Sequence, residues 1–191
     1  SYNFYFESWY AEVTSTWIED EVYSPINQSY AYLGVYLSNT AVSLNSGDGY
    51  DRWIFNRLLS ENHTTGIINS VWDRLRQTTV PNGVSDNYTV PTLPIIDSVM
   101  TSQSSSLAKE FVSFAKRLYT KEWTSHTDDI PLIYSTPLHI SATYGSYPVN
   151  SSTSPTPSVT LPHYAFAYFR FLPAAAVTDL QITVSKTAGI Q

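Results

Sequence analysis

The hydrophobic residues of the chain follow two different periods, and the change of period is the feature that most constrains the fold. Apolar residues alternate with polar ones within residues 1–50 and again within 130–191, the period of half-buried β-strands. Between these stretches, apolar residues recur at helical spacing. The order strands, helices, strands predicts a single domain over residues 1–191, with strands in 1–50, a helical insertion in 51–124 and strands in 130–191.

The alternation is clearest near the two ends of the chain. Trp9, Val13 and Trp17 alternate with polar residues in the first run, and residues 31–37 repeat the pattern. Residues 138–144 and 163–172 predict two further strands, and Leu180, Ile182 and Val184 predict the last. We therefore predict an α+β, β-rich fold, namely an antiparallel β-sandwich (jelly-roll-like or Ig-like) with a helical insertion around residues 50–124.

Helical spacing in the middle of the chain predicts two longer helices. One apolar stripe lies within residues 67–75 and a second within 107–118, while residues 53–59 predict a short helix. The Ser-rich run 101–106 is a poor helix interior, so it is expected to separate residues 95–100 from the second stripe. Residues 80–94 contain three prolines and predict a loop or an extended crossing.

The polar residues of the chain are mostly uncharged. Only 14% of residues are charged, against about 25% in a typical soluble domain. Ser and Thr make up about a quarter of the chain, and Cys is absent, so there is no disulfide. The chain begins with Ser1, which we interpret as a processed N-terminus left by loss of a leader or of Met. This composition favours an extracellular, cell-surface or virion setting.

Charge and hydropathy argue against two kinds of interaction, a phosphate-based grip on nucleic acid and a membrane span. A net charge of −6 argues against a nucleic-acid grip through phosphate contacts. No run of 18 apolar residues is present, so no membrane span is predicted. Eight of the ten basic residues lie within 51–122, which gives the helical region a more basic character than the rest of the chain. Such an asymmetry is compatible with head-to-tail docking of copies, although helices also use more Lys and Arg in general.

Short catalytic motifs are present but in the wrong arrangement. Residues 106–109 fit S-x-x-K, residues 85–87 spell S-D-N and residues 186–189 come close to K-T-G, the three signatures of serine β-lactamases. The S-D-N motif precedes S-x-x-K, which reverses their order, and the third motif has an inserted residue. The four histidines show no zinc-binding spacing. We predict no enzyme activity, no cofactor and no metal site.

Four sequons for N-linked glycosylation occur in predicted loops or helix caps. The hypothesis of a glycoprotein places sugars on four asparagines: Asn27, Asn62, Asn87 and Asn150.

Taken together, these features favour a non-enzymatic structural subunit of an extracellular or virion assembly, such as a coat or surface-filament protein. Its partners would be copies of itself, joined by exchange of a terminal strand. The residues expected to fill pockets on the neighbour are Trp9, Val13 and Trp17 at one end, or Leu180, Ile182 and Val184 at the other. The polar tail 185–191 is expected to dock on its own domain or on a neighbouring subunit.

Two other classes of function stay open at this point. Seven tyrosines in the first 36 residues fit a secreted carbohydrate-binding module with glycans as partners, in which exposed rings stack on sugars. A secreted hydrolase is the third hypothesis, because paired carboxylates for glycoside hydrolysis meet only in the folded chain.

Overall fold

The computed structural model describes residues 6–78, 89–145, 158–173, 175 and 178–185. Within this part of the chain the protein is mostly helical, and the predicted β-sandwich is wrong. The helices α1 to α7 span Ser8–Val22, Ser29–Ser38, Ile54–His63, Gly66–Gln77, Thr92–Ser102, Leu107–Thr120 and Ile130–Ser135; the strands β1 and β2 span Ala142–Tyr144 and Phe169–Phe171.

The chain forms two compact units. Unit 1 comprises Ser1–His139 together with Leu161–Phe166, and unit 2 comprises Ile140–Thr160 together with Ala167–Gln191. In the part of the chain that the structure describes, the seven helices belong to unit 1 and the two strands belong to unit 2.

Helix α1 occupies a stretch in which alternation predicted a strand. Trp9, Val13 and Trp17 lie four residues apart, and a spacing of four is compatible with a period of two as well as with one face of a helix. The buried neighbours resolve the ambiguity, because Tyr10, Thr14 and Asp20 fall on the same helical face. In a strand Tyr10 and Thr14 would point away from Trp9, so the complete set of buried positions fits only a helix.

Helix α2 replaces the second predicted strand for the same reason. Tyr30, Leu33 and Leu37 are buried at helical spacing, whereas Val35, which alternation assigned to the buried face, is 64% exposed. Aromatic residues are enriched in strands but not confined to them, so composition pointed to the wrong element here.

The helical predictions for the middle of the chain are confirmed. Helices α3, α4 and α6 cover the short predicted helix and the two apolar stripes. Helix α5 ends at Ser102, so the Ser-rich run does separate it from α6. The Glu7 carboxylate accepts a hydrogen bond from the Thr92 amide at 2.8 Å, and this bond caps the first turn of α5.

The core of unit 1 is aromatic. Phe114 contacts Phe55 at 5.2 Å between ring centroids, and Phe111 lies 5.4 Å from Phe166. Phe166 reaches this core because its segment is bonded to residues 40–44: the Phe166 amide donates to the Thr40 carbonyl at 3.0 Å, and the Thr40 hydroxyl donates back to the Phe166 carbonyl at 2.9 Å.

Unit 2 contains the only strands of the described residues. Strands β1 and β2 pair in parallel, with Ala142 opposite Phe169 and Tyr144 opposite Phe171. They lie inside two runs that were predicted to form longer, antiparallel strands, 138–144 from its alternation and 163–172 because it is apolar on both faces. The antiparallel orientation is wrong. A parallel pair needs a long crossover, which the separation of the two strands in sequence provides.

Candidate functional site

The three N-terminal residues predicted to face a neighbouring subunit are buried instead. Trp9, Val13 and Trp17 are 3%, 0% and 5% exposed, and all three lie in the core of unit 1. The N-terminal stretch predicted to be an exchanged strand is helix α1. The predicted strand exchange at the N-terminus is therefore wrong. Residues this deeply buried present no surface to a partner.

The three C-terminal residues of the same prediction lie at the surface. Leu180, Ile182 and Val184 are 40%, 56% and 87% exposed. Within the described chain, residues 178–185 belong to no helix or strand and make no backbone hydrogen bond. We call residues 178–185 the apolar segment. The tail 186–191 lies outside the described residues.

The β1–β2 sheet of unit 2 is the second component of this candidate site. With two strands in the described residues, each strand has one edge without a neighbouring strand. The rings of Tyr144 and Phe171 stack across the pair at 5.4 Å with an angle of 24°. An isolated two-stranded sheet is marginally stable in water, so a third strand would stabilise this one.

The sequons have different surroundings. Asn27 is exposed in the turn before α2, where a sugar has room. Asn62 is exposed at the end of α3, but its side-chain nitrogen donates to Glu110 at 2.7 Å and its oxygen accepts from Arg117 at 2.9 Å. Asn87 and Asn150 lie outside the described residues.

Unit 1 contains a buried ionic network that the sequence analysis missed. Arg57 is fully buried; it donates to the Tyr30 hydroxyl at 2.8 Å and lies 3.4 Å from Glu61. Arg117 donates to the other oxygen of Glu61 at 2.6 Å, and both guanidinium groups lie over the ring of Trp123. The separation of Arg57 and Glu61 by four residues was a readable signal, but the partners from other elements were not.

Hydrogen bonds determine the ionisation of the two buried glutamates. Burial alone would raise the pKa of Glu61, but hydrogen bonds from Ser125 and from the Thr124 amide, together with Arg57, lower it overall. Burial likewise opposes ionisation of Glu110, while Ser105, Asn62 and His63 hydrogen-bond its carboxylate and lower its pKa. Both glutamates are therefore held as anions that join helices and loops of unit 1.

Asp20 differs from these two glutamates. Burial raises its pKa, and the nearby charges of Asp129 and Glu21 add to this, against the opposing effect of Arg57 and His126. One carboxyl oxygen of Asp20 accepts from Ser29 at 3.5 Å, and the other has no hydrogen-bond partner among the described residues. Asp20 and Asp129 are 0% and 5% exposed, so these carboxyl groups are inaccessible to a substrate.

The serine of the S-x-x-K motif contributes to the fold. Ser106 is the N-cap of α6, where its hydroxyl accepts a hydrogen bond from the Lys109 amide at 3.2 Å. In the described part of the chain, no group of three or more His, Cys, Asp or Glu side chains is arranged to hold a metal ion. No helix of that part is long and apolar enough to cross a bilayer.

Three of the five described tyrosines among the first 36 residues are buried, whereas Tyr32 pairs with Tyr50 nearer the surface. Tyr10, Tyr30 and Tyr36 are at most 8% exposed. Tyr50 is 40% exposed, and its ring lies 5.6 Å from that of Tyr32 at an angle of 36°. A hydrogen bond to Glu12 raises the pKa of Tyr50, so the hydroxyl is un-ionised beside a carboxylate.

Comparisons with known proteins give no match, whether the chain is compared with family models, with curated proteins or with solved structures.

Proposed function

We propose that the chain is a non-enzymatic structural subunit of an extracellular or virion assembly. The apolar segment of one copy adds as a strand to an edge of the β1–β2 sheet in the next copy. Main-chain hydrogen bonds supply the adhesion in such a contact, and alternate side chains set the register. The single observation that carries the proposal is the exposure of Leu180, Ile182 and Val184 on a segment that makes no backbone hydrogen bond within the described chain.

The donor has the pattern that strand addition requires. Its three apolar residues alternate with Gln181 and Thr183, so that in an extended conformation they would share one face. Burying an aliphatic side chain of this size contributes about 1.5–3 kcal/mol. Three of them in register would provide much of the affinity of a subunit contact.

The β1–β2 sheet is the proposed acceptor. A sheet edge with unpaired N–H and C=O groups is a template for pairing with another chain. Within the described residues each strand of the β1–β2 pair has one neighbouring strand, and we propose that the donor adds at the other edge.

The composition supports the proposed setting. A chain without Cys and with hydroxyl groups in place of charges needs no reducing compartment. Asn27, in an exposed turn, is the sequon best placed to carry a sugar. If the protein is secreted from a eukaryotic host, glycosidase treatment should lower its mass. We expect this mass shift to be smaller or absent in the Asn27→Gln variant.

The experiment compares two triple variants by sedimentation velocity over a range of concentrations. Changing Leu180, Ile182 and Val184 to Asp removes the apolar face and introduces three charges, so we expect dissociation to monomers. The matched control changes Gln181, Thr183 and Ser185 to Asp, with the same added charge on the other face, and we expect it to retain most of the association. A monomeric wild-type protein, or equal behaviour of the two triple variants, would refute the proposal.

A carbohydrate-binding module remains the second candidate, favoured by the Tyr32–Tyr50 pair beside Glu12. Tyrosine rings stack on sugars, and a carboxylate accepts hydrogen bonds from their hydroxyl groups. Titration with an oligosaccharide panel, read by Tyr fluorescence in the wild type and in Tyr50→Ala, tests this candidate. Equal signals from both proteins would count against it.

A further inference from the structure

Helix α1 carries an acidic and apolar stripe at the surface of unit 1. Glu12, Ser15, Glu19 and Val22 follow one another at helical spacing, and Ile18 lies beside them. Ile18 and Val22 are 47% and 63% exposed, while both glutamates are half-buried. We call these five residues the α1 stripe. Ile18 and Val22 are four residues apart, so they are neighbours on the helix surface and form one apolar patch beside the glutamates.

Helix α6 carries a basic and apolar stripe of the same geometry. Lys109, Val112, Lys116 and Tyr119 follow one another at the spacing found in the α1 stripe, and we call them the α6 stripe. Val112 is 69% and Tyr119 51% exposed, and both lysines are exposed. The other ionised side chains of α6 are engaged within unit 1, since Glu110 bonds His63 and Arg117 bonds Glu61. The exposed charge of this face is therefore positive.

The charges on the two stripes match in spacing. Glu12 and Glu19 are seven residues apart, as are Lys109 and Lys116, so each pair is separated by about 10.5 Å along its helix. Helix α1 carries no basic residue that could compensate its acids. On α1 the exposed apolar residues lie beside the glutamates, and on α6 they alternate with the lysines along the stripe. Two such helices can pack with salt bridges next to apolar contacts.

We propose that the α6 stripe of one copy packs against the α1 stripe of the next copy. The contact is heterologous, because two different surfaces meet, and it joins copies head to tail. It rests on the proposed function only in that copies associate; it involves unit 1, whereas the apolar segment belongs to unit 2. The stripes would therefore determine which surfaces of two copies meet and in which orientation. Complementary charges contribute more to such specificity than to affinity.

A charge-swap experiment tests the contact by sedimentation velocity at low salt. Variant A carries Lys109→Glu and Lys116→Glu, and variant B carries Glu12→Lys and Glu19→Lys. Each variant alone juxtaposes like charges, so we expect self-association about 100-fold weaker than in the wild type. An equimolar mixture of A and B restores opposite charges across the contact and is expected to associate again.

The matched control changes Arg74 and Arg76 on α4 to Glu, which alters the same number of exposed charges outside both stripes. We expect its association to equal that of the wild type, with thermal unfolding confirming that all variants are folded. Unchanged association of A and B, or a mixture as weak as either variant alone, would overturn the stripe contact. If A and B dissociate while the Asp variant of the apolar segment stays associated, the strand addition is refuted and the stripe contact is supported. If the Asp variant dissociates while A and B stay associated, the stripe contact is refuted and the strand addition is supported.

Discussion

Gly49 occupies a position at which no other residue fits the backbone. Its φ of +99° lies in the left-handed region, and a Cβ built on it would lie 2.1 Å from the carbonyl oxygen of Trp9. The close approach holds the loop before the 3-10 turn Tyr50–Arg52 against the first turn of α1. Gly49 therefore contributes to the fold because the absence of a side chain lets the loop approach the backbone of α1.

Substitution of Gly49 by Ala should strongly destabilise unit 1. We expect a loss of about 2–4 kcal/mol in the free energy of unfolding, from backbone strain together with overpacking against main-chain atoms. Gly47→Ala is the matched control, since its φ is also positive at +71° but the nearest atom to a new Cβ is a side-chain nitrogen of Arg52 at 3.7 Å. Its loss should be about 1 kcal/mol. Urea unfolding measures both, and equal losses would contradict this explanation.

Asp20 makes a pH-dependent contribution to the stability of the native state that is opposite in sign to that of a typical ion-paired carboxylate. Its native pKa is raised above the ordinary value of 3.8, so between these two values the native state holds a proton that the unfolded chain has released. The contribution of Asp20 to stability is therefore fully present below 3.8 and is lost as the pH rises through its native pKa. Glu61 and Glu110 act in the opposite sense, because their lowered pKa values stabilise the native state above the unfolded value and this is lost on acidification.

The Asp20→Asn variant isolates this contribution. At pH 7 we expect its free energy of unfolding to exceed that of the wild type by about 1 kcal/mol, because a buried carboxylate with one unpartnered oxygen is replaced by a neutral amide. The gain should shrink and then vanish as the pH falls below the native pKa of Asp20. Asp73→Asn, which alters an exposed ion pair on α4, serves as the control. A gain that is independent of pH would contradict the assignment.

At the scale of elements, α6 depends on the cap that Ser106 provides. Ser106→Ala should cost about 1 kcal/mol, because the Lys109 amide loses its hydrogen-bond acceptor at the start of the helix. Ser70→Ala is the comparison, since that hydroxyl bonds Gly66 within α4 and Ala is the better helix former. Its effect should be neutral or slightly stabilising. Thermal unfolding of the two variants distinguishes them, and equal melting temperatures would show that the cap contributes nothing.

The helices of the middle region could be predicted from the sequence, and those of the first region could not. In α4 the apolar residues 67, 68, 71, 72 and 75 mix odd and even positions, so only a helix gathers them on one face. In α1 the residues Trp9, Val13 and Trp17 fit both periods, and the aromatic content favoured the wrong one. The decisive evidence was the burial of Tyr10 and Thr14, which depends on packing against other elements.

At the scale of the whole molecule, part of the candidate site was readable and part was not. The alternation of Leu180, Ile182 and Val184 was enough to predict an apolar segment, because the pattern can be seen without knowing what the segment contacts. The sheet edge was not readable, because the pairing of β1 with β2 joins residues that are more than twenty positions apart. The stripes on α1 and α6 were equally hidden, since a stripe becomes a surface only when the remaining faces of its helix are buried.

Amide hydrogen exchange of residues 178–185 as a function of protein concentration tests the central claim most directly. Free in solution, these amides have no hydrogen-bond partner in the described chain and should exchange at the rate of an unfolded peptide. In the associated state they pair with a neighbouring sheet edge, so we predict exchange slowed by about 100-fold or more, together with added protection in β1 or β2. Association that leaves residues 178–185 exchanging at the free rate would contradict the account.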